Sequence, residues 1–311
     1  MLKSMWLDTI KQTKYESLNK NIETEILVIG GGITGISCCY ELSNYFSNIT
    51  LVTMNEFFSG TTGFTTAKTT FQHGYIYHDL INMFGKLTTT QYYEFNKMGL
   101  ERIKEIIELE KIDCDFKEVD SYLFNYLNEE DNIKNEFQAY QKIGIDGEMT
   151  NFKELDALAI KVSNQGQFHP LKYLQALLDK LKNKGVKIYE NTKIIDINGH
   201  NAITENNYTI SADNIIIATN YPIYPNFNMF FTKMIPSKSY VVVGKPNKDI
   251  QNGNYINTKE PYLSLRYHND LLVVTGLSHD CKEMKNENQE FKKLTDIAKS
   301  KFEIEDFKFA W

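Results

Sequence analysis

Apolar residues fall along this chain in two rhythms, and each predicts a different kind of element. Short, nearly continuous runs at Glu25-Ile-Leu-Val-Ile29 and Asn48-Ile-Thr-Leu-Val-Thr53 predict strands covered on both faces, as in a parallel sheet. Positions on a helical period predict helices over residues 36–45 and over 88–110, the latter turning Met98, Ile103, Ile106 and Ile107 toward a core. A third helix opens at Gln167-Phe-His-Pro170, carries Leu171, Leu174, Leu177, Leu178 and Leu181 on one stripe, and closes at Gly185. Its proline stands early, where a missing N–H is tolerated. Strand signals then run through residues 186–197 and a hairpin over 202–210 that turns at Glu205-Asn-Asn207. More follow at 214–220, 238–244, 261–267 and 270–276.

The first strand runs straight into Gly30-Gly-Gly-Ile-Thr-Gly35, and a helix followed by a second strand comes next. That context turns a weak glycine pattern into a dinucleotide-binding signature. Gly30 allows the tight turn, Gly32 lets backbone approach a pyrophosphate, and Gly35 lets the helix pack on the strand. The helix start, with Ile33 and Thr34, offers free N–H groups and a positive dipole end to phosphates. An acid is expected about 20 residues on, at the end of the second strand, to take the ribose hydroxyls. Thr53 stands there, with Glu56 three positions late. A threonine hydroxyl lacks the bidentate, charge-assisted acceptance of a carboxylate.

Composition narrows the partners. The 311 residues carry a net charge of -6, which argues against nucleic acid, whose binding needs clustered Lys and Arg. Residues 1–20 mix charges with isolated apolar positions and show no secretory core, and no apolar run has the length of a transmembrane helix. Cys38 and Cys39 are adjacent within a helix, Cys114 and Cys281 lie far off, and no CxxC or His-x-x-x-His occurs. A disulfide framework, a zinc site and an iron–sulfur centre are therefore not expected, and the cytoplasm is the expected compartment.

After the second strand comes a hydroxyl-rich loop, Ser59-Gly-Thr-Thr-Gly-Phe-Thr-Thr-Ala-Lys68, then Gln72-His-Gly74. With the glycine motif, these blocks resemble the bacterial FAD oxidoreductases of the D-amino-acid oxidase, glycine oxidase and sarcosine oxidase superfamily. The likeness is strongest to the subgroup whose flavin domain precedes a Rieske domain. The resemblance implies FAD as cofactor and makes Gly60, Thr61, Thr62 and Thr65 contacts to it. Ile194 falls at the adenine-side position, and Ala218-Thr219 resembles a strand-end element that touches FAD, with Asn220 where glycine or histidine is more usual. The implied fold is α/β (α+β overall), a Rossmann-like, doubly wound FAD-binding domain interleaved with a mixed-sheet substrate domain. The first would take residues 20–85 and 150–225, the second 86–149 and 226–311. Residues 307–311 resemble the strand that begins the last cofactor-domain segment, whose continuation, like the Rieske domain, is expected to be missing.

In such flavoenzymes the cofactor carries the redox chemistry and the protein orients, dries and charges the site. Arg266 is the candidate for pairing a substrate carboxylate, with a sheet-edge arginine as the plain alternative; His73 is a weaker candidate for facing the flavin. Three readings follow: an FAD-dependent oxidoreductase of an amine or amino acid, active alone or with a separately encoded C-terminal partner; a truncated and inactive remnant or interaction protein; and a flavoprotein subunit passing electrons to a partner.

Overall fold

The computed structural model of the chain describes residues 3–126, 130–152, 156–222, 230–257 and 262–311. In chain order the first elements are α1 (Met5–Asp8), β1 (Ile22–Ile29), α2 (Ile33–Leu42), β2 (Ile49–Val52), β3 (Lys68–Thr69), α3 (Tyr77–Glu110) and β4 (Lys117–Tyr126). There follow α4 (Glu130–Ile143), β5 (Glu148–Phe152), β6 (Ala157–Gln167), α5 (Pro170–Asn183), β7 (Lys187–Tyr189), β8 (Ile194–Asn198) and β9 (Asn201–Thr204). The last are β10 (Thr209–Ile217), β11 (Ser237–Pro246), β12 (Asn254–Asn257), β13 (Leu263–His268), β14 (Leu271–Asp280), α6 (Glu287–Phe302) and β15 (Ile304–Ala310). They divide between two compact units, one of residues 6–65 and 170–235, the other of residues 1–5, 66–169 and 236–311.

The first unit holds a six-stranded sheet in the order β7-β2-β1-β10-β9-β8. Its first four strands are parallel, with Ile26 level with Ile49 on one side and Asn214 on the other. Burial explains their composition. Leu27, Val28, Leu51 and Val52 are wholly enclosed, so alternation with polar residues is not needed. The helices α2 and α5 pack together, and Leu171, Leu174, Leu177, Leu178 and Leu181 of α5 are fully buried, as their spacing predicts. Because Ile29, Val52, Tyr189 and Ile217 all end at one edge, this unit presents the carboxyl edge where open α/β sheets bind ligands.

The second unit holds a nine-stranded mixed sheet, β15-β11-β14-β13-β12-β4-β6-β3 with β5 added on β6. One core gathers Phe124, Tyr240, Leu265, Val274, Leu294 and Phe302; another gathers Tyr77, Leu100, Leu123, Ile133, Tyr140 and Ile160. Glu136 of α4 is completely buried, and its carboxylate accepts the first amides of α3, from Ile76 (3.1 Å), Tyr77 (2.9 Å) and His78 (2.8 Å). A borrowed carboxylate thus caps a helix start that carries no capping side chain of its own.

Several expectations need correction. Residues 66–85 and 150–169, grouped above with the glycine motif, belong to the nine-stranded unit, because β3 and β6 pair with each other and β6 with β4. The helix read from residue 88 starts at Tyr77 and is broken by Gly85 (φ 78°), and Met98 points to solvent while Ile106 is buried. The single strand read over 186–197 is two strands, interrupted where Glu190 and Thr192 bond to other segments. Residues 307–310 lie in β15, which pairs with β11 in the nine-stranded sheet rather than with the parallel strands. The strand read over 261–267 is β13 from Leu263 onward; Pro261 lies outside the described residues.

Candidate cofactor site

The cradle is built where β1 stops. Gly30 takes φ +123°, a conformation open to glycine, and a Cβ there would sit 2.3 Å from the Ala218 carbonyl oxygen. A Cβ at Gly35 would lie 1.9 Å from the carbonyl oxygen of Gly30, so any side chain would force α2 off the strand. The Ala218 amide donates to the Ile29 carbonyl at 2.8 Å, locking the ends of β1 and β10 side by side. Gly32 is the N-cap of α2 and supplies no side-chain cap. Among the described residues the amides of Thr34 and Gly35 have no acceptor, leaving the positive end of a ten-residue helix open to an anion.

The hydroxyl-rich loop closes over this terminus as a 3-10 turn, Thr61–Phe64. Thr62 Oγ1 accepts from the Ile33 amide at 3.1 Å, and Asn220 Nδ2 donates to Thr61 Oγ1 at 3.3 Å. Gly60 stands in open space at the start of the turn, and Thr65 follows it in extended conformation. Thr219 Oγ1 donates to the Tyr221 carbonyl at 2.8 Å. The structure therefore gathers Gly30, Gly32, Ile33, Thr34, Gly35, Gly60, Thr61, Thr62, Thr65, Ala218 and Thr219 within one unit.

Thr53 belongs to the same edge. Its amide donates to the Tyr189 carbonyl (3.0 Å), and its carbonyl accepts from Thr192 (2.9 Å). Its Cβ stands 2.8 Å from where a Cβ on Gly31 would be. No acid is supplied there by Glu56, whose carboxylate is taken up by Lys14 at 2.5 Å. Ile194 is buried in the core between Leu27, Val52 and Ala202, so any cofactor contact it makes is through its backbone.

The other two candidates lie in the nine-stranded unit. Arg266 is almost wholly buried: Nη1 donates to the carbonyls of Thr66 (3.2 Å), Ala67 (2.5 Å) and Phe168 (3.1 Å), and Nε to that of Tyr267 (3.1 Å). This arginine clamps the chain around Ala67, and burial pulls its pKa down to about 9. His73 is exposed and shares a hydrogen bond with Asn96 (3.0 Å). Beside Arg266, Lys68 has its ammonium pKa lowered to about 7, first by burial and then by the neighbouring guanidinium. Two features escaped the sequence reading, Lys68 and the segment before β1 in which Trp6 is fully buried. The only prior signal was a lysine inside a threonine run and one of two tryptophans in the chain.

A family model described as DAO, FAD dependent oxidoreductase, matches residues 25–308. The chain belongs to this family. YhfW of Bacillus subtilis (strain 168), whose name describes a Rieske 2Fe-2S iron-sulfur protein, is 33% identical over 98% of this chain. The chain spans 62% of YhfW's length. OrdL of Haemophilus influenzae, named as an oxidoreductase, is 24% identical over 90% of the chain and 68% of its own length. Glycine oxidase from Geobacillus kaustophilus superposes with a TM-score of 0.74 at 15% identity, covering 93% of this chain and 81% of that one. L-Proline dehydrogenase from P. horikoshii gives 0.70 at 18%, covering 94% and 81%. At such identities the structural likeness speaks for the fold alone, a mixed α/β fold shared with these two enzymes. No helix among the described residues is long and apolar enough to cross a membrane.

Proposed function

We propose that this chain binds FAD on the six-stranded unit and oxidises a C–N bond of an amine or amino acid. The observation that carries the reading is the open start of α2, with unpaired Thr34 and Gly35 amides beside glycines that leave no room for a Cβ. In it, Gly30, Gly32, Ile33, Thr34 and Gly35 hold the pyrophosphate through backbone N–H groups. Thr61, Thr62 and Thr65, with Gly60, Ala218 and Thr219, cover the cofactor, while Thr53 and the backbone at Ile194 serve its adenosine end. FAD, when bound, supplies the hydride acceptor that turns a C–N single bond into an imine. The protein's part is to fix the cofactor without charge at the ribose, since Thr53 offers one hydroxyl and Glu56 is engaged with Lys14. The nine-stranded unit is the substrate domain in this reading. Arg266 serves there as a clamp on Thr66 and Ala67, and His73 is given no chemical role. The names of glycine oxidase and L-proline dehydrogenase support an amino-acid or amine substrate. The name of YhfW supports a second reading, in which electrons leave to an iron–sulfur partner.

The test is a titration of the purified chain with FAD, followed by anaerobic addition of amines and amino acids. Flavin absorbance retained through gel filtration and bleached by one of these substrates is the expected result. A cooperatively folded chain that takes up no FAD would refute it. Bleaching with no turnover on oxygen, restored by an iron–sulfur acceptor, would favour the second reading.

A further inference from the structure

The segment ahead of β1 has no counterpart in the glycine-motif description of a cradle, yet its contacts fall on the cradle's loops. Trp6 is fully buried, and its indole N–H donates to the Thr65 carbonyl at 2.6 Å. Leu7 Cδ2 lies 3.4 Å from where a Cβ on Gly63 would be. Lys14 holds Glu56, and the Tyr15 ring meets Phe57 edge-on with centroids 5.3 Å apart. Phe57 in turn lies under the glycine turn, 2.6 Å from where a Gly31 Cβ would be. Further along, the Glu16 carbonyl accepts from the Glu190 amide (3.2 Å), and the Leu18 amide donates to Thr192 Oγ1 (3.0 Å). The Thr13 amide is held by Gln175 of α5 at 3.2 Å. Thus residues 6–18 touch the loop after β2, the loop after β7, and the helix α5 that packs on the 3-10 turn.

We infer that residues 6–18 form a strap that sets the cradle, with Trp6 as a positioning residue that fixes the turn Thr61–Phe64 against the start of α2. The inference rests on the reading that FAD occupies this cradle. The chain of cause is short. Thr65 immediately follows the turn, and Thr62 within it caps the Ile33 amide. Releasing the Thr65 carbonyl frees the turn to swing, and Thr62 and Thr61 then lose their places relative to the Thr34 and Gly35 amides. A hydroxyl-rich loop left to fluctuate would have to be ordered at each binding event, and that ordering is subtracted from affinity. The strap does this ordering during folding. Burial of Tyr15 against Phe57 and near Asp179 raises its phenol to about 12, so the ring stays neutral and packed across the usual working range.

Trp6→Phe keeps an aromatic ring in the site and removes the N–H. We expect its Kd for FAD, read by quenching of flavin fluorescence, to rise about tenfold, equivalent to ~1.4 kcal/mol. Amide exchange in the FAD-free chain should accelerate at the bonded amides of Ile33 and Gly63 while the amides of β1 and β10 hold their protection. Equal affinity for FAD together with uniform acceleration across the six-stranded unit would overturn the strap and leave Trp6 a packing residue. If the parent chain itself took up no FAD, the cofactor reading would fail, and the exchange pattern would still decide whether the strap positions the turn.

Discussion

Replacing Lys68 with methionine should stabilise the protein below neutral pH. The ammonium is partly buried at the head of β3, its hydrogen bond to the Tyr255 carbonyl is long at 3.5 Å, and a second cation, Arg266, is its electrostatic neighbour. A fall from 10.5 to about 7 means that the folded state holds the proton less tightly than the unfolded chain does. At about 1.4 kcal/mol per factor of ten, keeping Lys68 charged costs the fold at most ~5 kcal/mol. Water reaching the side chain and local relaxation reduce this to about 2–3 kcal/mol. The sign follows from proton counting. Below pH 7 both states carry the proton and the whole cost is present. Between about pH 7 and 10.5 the unfolded state binds more protons, so stability rises with pH, and above that range the cost is gone. Methionine has a similar length and no charge to desolvate. Urea denaturation of parent and Lys68→Met at pH 6, 7, 8, 9 and 10 isolates this term, since other titrating groups cancel in the difference. The variant should be more stable by about 2–3 kcal/mol at pH 6, with the gap narrowing steadily toward pH 10. A variant less stable than the parent at pH 6, or a gap independent of pH, would refute the reasoning.

Four other substitutions, at three positions, test the geometry. Gly35→Ala must push a methyl into the Gly30 carbonyl oxygen, so loss of FAD uptake and a stability loss above ~3 kcal/mol are expected, whereas Gly60→Ala, in open space, should change stability by less than ~0.5 kcal/mol. Glu136→Ala removes the acceptor of three amides at the start of α3, that of Tyr77 buried and those of Ile76 and His78 partly so, and should cost about 2–4 kcal/mol in chemical denaturation. Glu136→Gln, which keeps one acceptor oxygen, should lose less, and equal losses would show that packing rather than capping holds this helix.

The parallel core and its glycine turn were legible in the sequence because each is written locally. An apolar run, a glycine spacing and the α5 leucine stripe all lie within a few turns of chain. What was misread depends on distant partners. β6 mixes Lys161, Ser163 and Asn164 among its apolar residues and shows itself a strand only through β4 and β5 on either side. Arg266 was offered as a substrate or surface residue because a buried guanidinium satisfied by carbonyls leaves no trace in composition. The strap escaped for a similar reason. Its bonds run mostly to backbone atoms of loops, and loop backbone has no residue code.

The interleaving of the two units also dictates the order in which the chain becomes foldable. β1 lies between β2 and β10, and the second of these partners arrives only about 190 residues later, when Ile210 is available to Ile22. Until then β1, whose Ile26–Ile29 half is wholly apolar, has one edge open, a template for mispairing with other chains. The nine-stranded sheet waits longer still, for β14 and β15 to complete β11. A nascent chain emerging from the ribosome thus carries its unfinished sheets past most of its own length. Slow maturation, with sheet edges exposed until the late strands arrive, is the kinetic signature expected of this topology.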